Sequence, residues 1–181
     1  LAAATSDQRM LGLFAPGTLP VRLQGEGGRE AEAPRPSWLN RLHPYLGSVT
    51  LPAPMICEPN PQFSAVPTLQ QMTAAALRHL SRDNDRGFFL MVESASIDKQ
   101  SHDRKPCGSI GEVAQLEEAL SIALTFAQSH PHTLILVTAD HAQATQLVPY
   151  ESLFAAFPIP IFTPGKLARI TTPEGGHMAV N

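Results

Sequence analysis

The sequence predicts an α/β fold, a mostly parallel sheet flanked by helices, and three observations carry that expectation. Two short runs, Phe88-Phe89-Leu90-Met91-Val92 and Leu134-Ile135-Leu136-Val137-Thr138-Ala139, are apolar on both faces, as central parallel strands are. A segment of helical spacing lies between them, and strand, helix, strand within one sheet makes a right-handed crossover. Each run ends on a carboxylate, Glu93 or Asp140, and ligands of parallel sheets collect at the carboxyl ends of strands.

The elements follow in order. Residues 1–14 read as the tail of an element ending at Leu11-Gly12-Leu13-Phe14. Residues 15–66 are dense in proline and carry Gly25-Glu26-Gly27-Gly28. They read as an excursion outside the core, because proline removes ladder donors and glycine costs entropy. Residues 67–148 form the expected α/β core. Thr68 starts a helix with Gln71 at the capping-box position, and Leu69, Met72, Ala76, Leu77 and Leu80 give it an apolar face. Asp83-Asn84-Asp85-Arg86-Gly87 stops it. Residues 88–93 are the first strand, 94–110 a loop, 111–129 a helix with Val113, Leu116, Leu120, Ala123, Leu124 and Ala127 on one face, and 133–139 the second strand. His130-Pro131 ends the second helix. Residues 149–181 read as an irregular C-terminal part, with Ile159-Pro160-Ile161-Phe162 as an edge strand. There are no internal repeats.

The bulk numbers exclude several classes. At 181 residues the chain can bury one sizeable core, and at 43% hydrophobic it is globular. Thirteen Lys and Arg against 16 Asp and Glu leave a net charge of −3, which offers nucleic acid or an anionic membrane no electrostatic attraction. No apolar run approaches the roughly 20 residues of a membrane helix. The first residues, Leu1 to Asp7, lack a basic start and an initiating Met, so they are not a signal peptide and suggest a fragment. Cys57 and Cys107 both sit in Pro- or Gly-containing loop sequence. That placement favours a disulfide over buried free thiols, with two unrelated surface thiols as the other reading.

The candidate site is a set of three carboxylates and two imidazoles: Glu93, Asp98, His102, Asp140 and His141. Oxygen and nitrogen donors of this kind suit zinc and magnesium. Asp98 and His102 are four residues apart and can grip one ion from one side. Asp140 and His141 are adjacent and can reach one metal only where the chain bends, as it does at a strand's end. Each has a plainer reading alone: Asp98 and His102 as loop polars, Asp140 as a helix cap, Glu93 as a carboxylate facing water. His43, His79, His130 and His132 read as surface histidines, and Glu112, Glu117 and Glu118 as helix-face charges. Ser94, Ser96 and Ser101 lack the setting of a nucleophile.

The stretch Gly87-Phe88-Phe89-Leu90-Met91-Val92-Glu93-Ser94-Ala95-Ser96-Ile97-Asp98-Lys99-Gln100-Ser101-His102 resembles the metal-binding segment of the bacterial alkaline phosphatases. Thr133 to Gln146, with Val137-Thr138-Ala139-Asp140-His141-Ala142, resembles the segment of those enzymes that carries a further Asp-His pair. The resemblance runs from about Met10 to Val148, with a divergent patch between Gly25 and Pro54, and corresponds to the family's C-terminal portion. It implies that Asp98 and His102 bind a first zinc, Asp140 and His141 a second zinc, and Glu93 magnesium. Lys99 resembles the lysine that supports the phosphate. It implies phosphate monoesters as substrates, in-line displacement between two zinc ions, a serine nucleophile, a Cys57–Cys107 disulfide, a periplasmic or secreted location and a homodimer for the full-length protein.

Parts of the family's pattern are missing. The nucleophilic Ser in an Asp-Ser-Ala context, the phosphate-binding Arg, the Asp that bridges zinc and magnesium and a magnesium-holding Thr belong to a region upstream of Leu1. A third zinc His in a Glu-His-Thr-Gly context is also absent; His177 lies in Gly175-Gly176-His177-Met178 and does not match it. Gly176 to Asn181 resembles the strand that precedes that histidine. The expectation is a phosphomonoesterase fragment inactive by itself. The alternatives are a truncated remnant or pseudoenzyme that at most binds zinc, and a phosphodiesterase or sulfatase of the same superfamily.

Overall fold

A computed structural model describes residues 9–43, 45–142, 147–148 and 168–180. Strand β1 (Leu23–Gly25) pairs antiparallel with β4 (Cys57–Pro59), setting Gly25 opposite Cys57. Between them, β2 (Arg35–Pro36), helix α1 (Trp38–Leu42) and β3 (Val49–Thr50) form a small unit closed by antiparallel β2–β3 pairing. Helices α2 (Leu69–Ser81), α3 (Ser96–His102) and α4 (Pro106–Ser129) follow. Strands β5 (Leu147–Val148), β6 (Ala168–Thr171) and β7 (His177–Val180) form an antiparallel sheet of order β5-β7-β6.

Helix α2 starts as its sequence dictates. Thr68 Oγ1 accepts the Gln71 amide, and Gln71 Oε1 accepts the Thr68 amide in return. Asn84 closes the other end, its side-chain amide donating to the carbonyls of Leu80 and Gly87. The second long helix departs from expectation. It begins at Pro106, whose missing N–H costs nothing at a first helical position. Cys107 is therefore inside a helix. The segment 94–110, expected to be loop, holds α3 and the first turn of α4, joined by a tight turn in which Arg104 takes φ +56°.

The expected apolar face of α4 is not the one it buries. Val113 and Leu124 are half exposed, whereas Gly108, Gly111, Glu112, Gln115 and Ala119 are buried. These small and polar residues recur about every four positions, so they line one side of the helix. They let neighbours approach closely: a Cβ on Gly111 would lie 2.9 Å from the Leu23 amide nitrogen. Glu112, read from the sequence as a surface charge aided by the helix N-terminus, is 7% exposed and lies two turns into the helix.

Two further expectations are corrected. Residues 15–66 are not outside the core. Ala31 and Met55 are buried with Cys107, Ala168 and Ile170, and Leu23 and Cys57 pack on them. Met55 earns this place by backbone pairing: its amide donates to Arg169 O and its carbonyl accepts from Thr171 N. The parallel sheet and its crossover are also not seen among the described residues. Runs 88–93 and 133–139 carry no strand pairing among the described residues, because a strand is defined by its ladder of backbone hydrogen bonds and neither run forms one there. Exposure alternates along the first, where Phe89 and Met91 are 88% and 76% exposed with Leu90 and Val92 half-buried between and after them, and over the start of the second, where Leu134 and Leu136 are both 81% exposed around half-buried Ile135, until Val137, 62% exposed, breaks it. That period of two is the pattern of an extended chain covered on one face. The edge strand expected at 159–162 and the element tail at 1–8 lie outside the described residues.

Cys57 and Cys107 form a disulfide, Cα–Cα 5.3 Å, closing a loop of sequence separation 50. Reducing it should lower unfolding free energy by about 2–4 kcal/mol, read as a fall in the urea midpoint between untreated and dithiothreitol-treated chain. Glu26 gives a second test. Burial opposes its ionisation, but the Ile56 amide, its own amide and the Arg29 guanidinium outweigh burial and hold the carboxyl below its ordinary value of 4.5. A carboxyl lowered on folding stabilises the native state above its unfolded value and stops doing so as pH falls through its folded value. Glu26→Gln should therefore flatten the loss of melting temperature between pH 6 and pH 3, leaving the rest of the acid profile in place.

Candidate metal centre

Helix α3 places Asp98 and His102 one turn apart on the same face. The sequence spacing anticipated their proximity but not the helix. His102 Nε2 lies 3.5 Å from Asp98 Oδ1. His141, just past the end of the second apolar run, brings its Nε2 to 3.5 Å from that same oxygen. Asp140 Oδ2 is 3.8 Å from His141 Nε2, and Asp140 Oδ1 accepts the His141 amide at 3.1 Å. Four of the five expected ligands thus adjoin one another, and Asp98 stands between the two imidazoles. Side-chain exposure runs from 44% for Asp98 to 91% for Asp140. As ion pairs in water these contacts contribute little by themselves.

The ring of His141 carries a further constraint. Its Nδ1 is 3.3 Å from the Ala142 carbonyl oxygen, a contact only a protonated Nδ1 can make. In the neutral ring, Nε2 then turns a lone pair on the Asp98 carboxylate. A second ring proton or an intervening cation resolves that repulsion. Donors each about 2.1 Å from a tetrahedral zinc lie about 3.4 Å apart. Both Asp98–imidazole separations match that spacing and exceed the usual hydrogen-bond range. The match is pairwise: among the described residues, no group of three or more His, Cys, Asp or Glu side chains could hold an ion. The donors fit zinc two at a time.

Glu93 sits apart from these four. It lines a cavity of about 230 Å³ together with Ser94, Lys99, Glu112 and Gln115. Lys99, an exposed residue on α3, also lines a neighbouring cavity of about 610 Å³ that reaches His102, Gln100 and Lys105. The Lys105 ammonium bridges Glu30 and Asp103; the hydrogen bond to Glu30 keeps it protonated above its ordinary value. Lys99 therefore stands where the two cavities adjoin. Of the other histidines, His130 stacks on Phe126 at 3.9 Å and closes the end of α4.

Glu112 and Gln115 are the residues that pattern reading missed. Glu112 Oε1 accepts the Arg22 amide and the Gln115 side-chain amide, and Gln115 Oε1 accepts the Leu69 amide. Ser94 Oγ donates to the Glu112 carbonyl. This chain of bonds ties the start of β1, the start of α2 and the residue after Glu93 to one stretch of α4. The clue was available as two polar residues three apart, on a side of the helix adjoining the apolar count.

The family model for alkaline phosphatase matches residues 1–168. Alkaline phosphatase H of Pseudomonas aeruginosa (strain UCBPP-PA14) is 42% identical over 179 residues, 98% of this chain and 32% of that protein. Alkaline phosphatase of Escherichia coli (strain K12) is 41% identical over 179 residues, with the same 98% and 32% coverage. Streptomycin-6-phosphate phosphatase of Streptomyces griseus is 36% identical over 178 residues, 98% of this chain and 35% of that protein. The chain belongs to the alkaline phosphatase family. It spans about a third of the length of these relatives.

Glu112→Ala would strip the half-buried Arg22 amide and the buried Gln115 side-chain amide of an acceptor. It should cost about 1–3 kcal/mol, seen as a lower urea midpoint, whereas Glu117→Ala on an exposed position of the same helix should change it by less than about 0.5 kcal/mol.

Proposed function

We propose that this chain supplies metal ligands to a zinc- and magnesium-dependent phosphomonoesterase. The observation that carries the reading is the meeting of His141 and His102 on one oxygen of Asp98, across 43 residues of sequence. Asp98 and His102 would hold one zinc and Asp140 and His141 a second, with Glu93 as a hard oxygen ligand for magnesium. Zinc held by these pairs would supply Lewis acidity for a phosphoryl displacement. Asp98 faces both imidazoles and sets the distance between the two pairs. Lys99, a cation beside the pairs, offsets the charge of a phosphate dianion. The Ala142 carbonyl holds the His141 ring in the tautomer that leaves Nε2 for a metal.

The same contact supports the expected sheet. Asp98 follows the first apolar run and His141 ends the second, so their contact argues for two strands side by side whose carboxyl ends form the site. Alternating exposure along the first run and the start of the second fits strands completed by neighbours on either side. The relatives named as phosphatases point to phosphate esters, and the streptomycin-6-phosphate enzyme to a phosphate monoester. The disulfide fits an oxidising compartment, periplasmic or secreted. No helix among the described residues is long and apolar enough to cross a membrane. Homodimerisation of the full-length protein rests on the family resemblance alone.

The serines near the centre make poor nucleophiles. Ser94 donates its hydroxyl to Glu112 O and Ser101 to Ile97 O. The 181-residue chain should therefore bind zinc without turning over phosphate esters. In isothermal titration, Asp98→Ala should weaken zinc binding by at least about tenfold. With p-nitrophenyl phosphate the chain should release no p-nitrophenolate above buffer. Zinc affinity indifferent to Asp98, or a burst of product, would sink the reading.

A further inference from the structure

Helix α3 is seven residues long, too short to hold its shape unaided, yet it carries Asp98 and His102. Its support comes from α4. Ser101 Oγ donates to the Ile97 carbonyl at 2.8 Å, and Ser109 Oγ of α4 lies 3.0 Å from Ser101 Oγ and 3.4 Å from that same carbonyl. Each hydroxyl has one proton. Ser101 spends its proton on Ile97, so Ser109 donates to Ser101 or to Ile97. The bonded positions are informative. Ile97 immediately precedes Asp98, and Ser101 immediately precedes His102, so one α4 hydroxyl grips α3 beside both residues. Next to Ser109 is Gly108, where a Cβ would fall 2.2 Å from Gln100 Oε1 and 2.7 Å from its Cδ. The glycine leaves the Gln100 side chain room to lie there; a Cβ would make it swing aside.

We propose that Ser109 is a positioning residue: with Gly108 admitting Gln100, its hydroxyl fixes where α3 sits on α4 and thereby the spacing of Asp98 and His102 from His141. This rests on the reading of Asp98 and His102 as zinc ligands. Ser109 touches neither and acts through Ser101 and the Ile97 carbonyl.

The test uses the full 181-residue chain as wild type, Ser109→Ala and Ser109→Thr, which keeps the hydroxyl. Amide exchange is measured on metal-free chain, and zinc affinity by titration. Ser109→Ala should speed exchange across Ile97–His102 by about tenfold while leaving α2 amides unchanged. It should also weaken zinc by about tenfold, and bound Co²⁺ should show altered visible bands. Ser109→Thr should stay within about twofold of wild type in every readout. Unchanged exchange in Ser109→Ala overturns the proposal. So does acceleration shared by α2 and α3, or equal effects of Ala and Thr. If wild-type chain takes up no zinc, the ligand reading fails, and the exchange data alone still decide whether Ser109 holds α3.

Discussion

The first two turns of α4 are where the described parts of the molecule are fastened together. Cys107 bonds the β1–β4 strand pair covalently, and Gly111 lets Leu23 of that pair lie against the helix. Glu112 and Gln115 take the otherwise free amides of Arg22 and Leu69. Gly108 and Ser109 receive α3. A carboxylate buried as deeply as Glu112 is costly unless its oxygens are bonded, and here a single oxygen accepts two donors from separate elements. Buried polar groups of this kind tie direction and register together, because the bonds form in only one relative placement of the elements. The small residues are the other half of the constraint: they make the close approach that the bonds require.

Much of this was written in the sequence, but unevenly. The Thr68–Gln71 capping box fixed the start of α2 because it is a local exchange of two hydrogen bonds. The spacing of Asp98 and His102, and the carboxylates ending both apolar runs, pointed to residues the structure brings together. The burying face of α4 was illegible to a count of apolar positions, since its stripe is glycine, glutamate, glutamine and alanine. Helix α3 was illegible for another reason: seven residues without an apolar stripe owe their shape to α4, a tertiary cause. Met55 sits among prolines that argue locally for loop, yet its backbone pairs with residues more than a hundred positions away. Strand pairing of the two runs is likewise a tertiary property, and residues 88–93 and 133–139 form no ladder among the described residues.

The two halves of the candidate centre differ in how they are held. Asp98 and His102 ride on a helix braced by hydroxyls. Asp140 and His141 follow a run that forms no strand ladder among the described residues, and a contact that joins them to α3 is His141 against Asp98. Exposed charges in water contribute little order by themselves. A divalent ion would change that balance, since ligand bonds replace screened attraction and fix both halves at once.

The bare runs have a consequence for handling the chain in solution. Among the described residues, Phe88 to Val92 and Leu134 to Ala139 form no strand ladder, and both are rich in aromatic or branched side chains with neither proline nor charge within the run. Such segments are templates for cross-β stacking between copies. The sequence sets guards at their borders, with Asp85, Arg86 and Glu93 around the first and Pro131 and Asp140 around the second. At high concentration those few gatekeepers are expected to oppose stacking between copies.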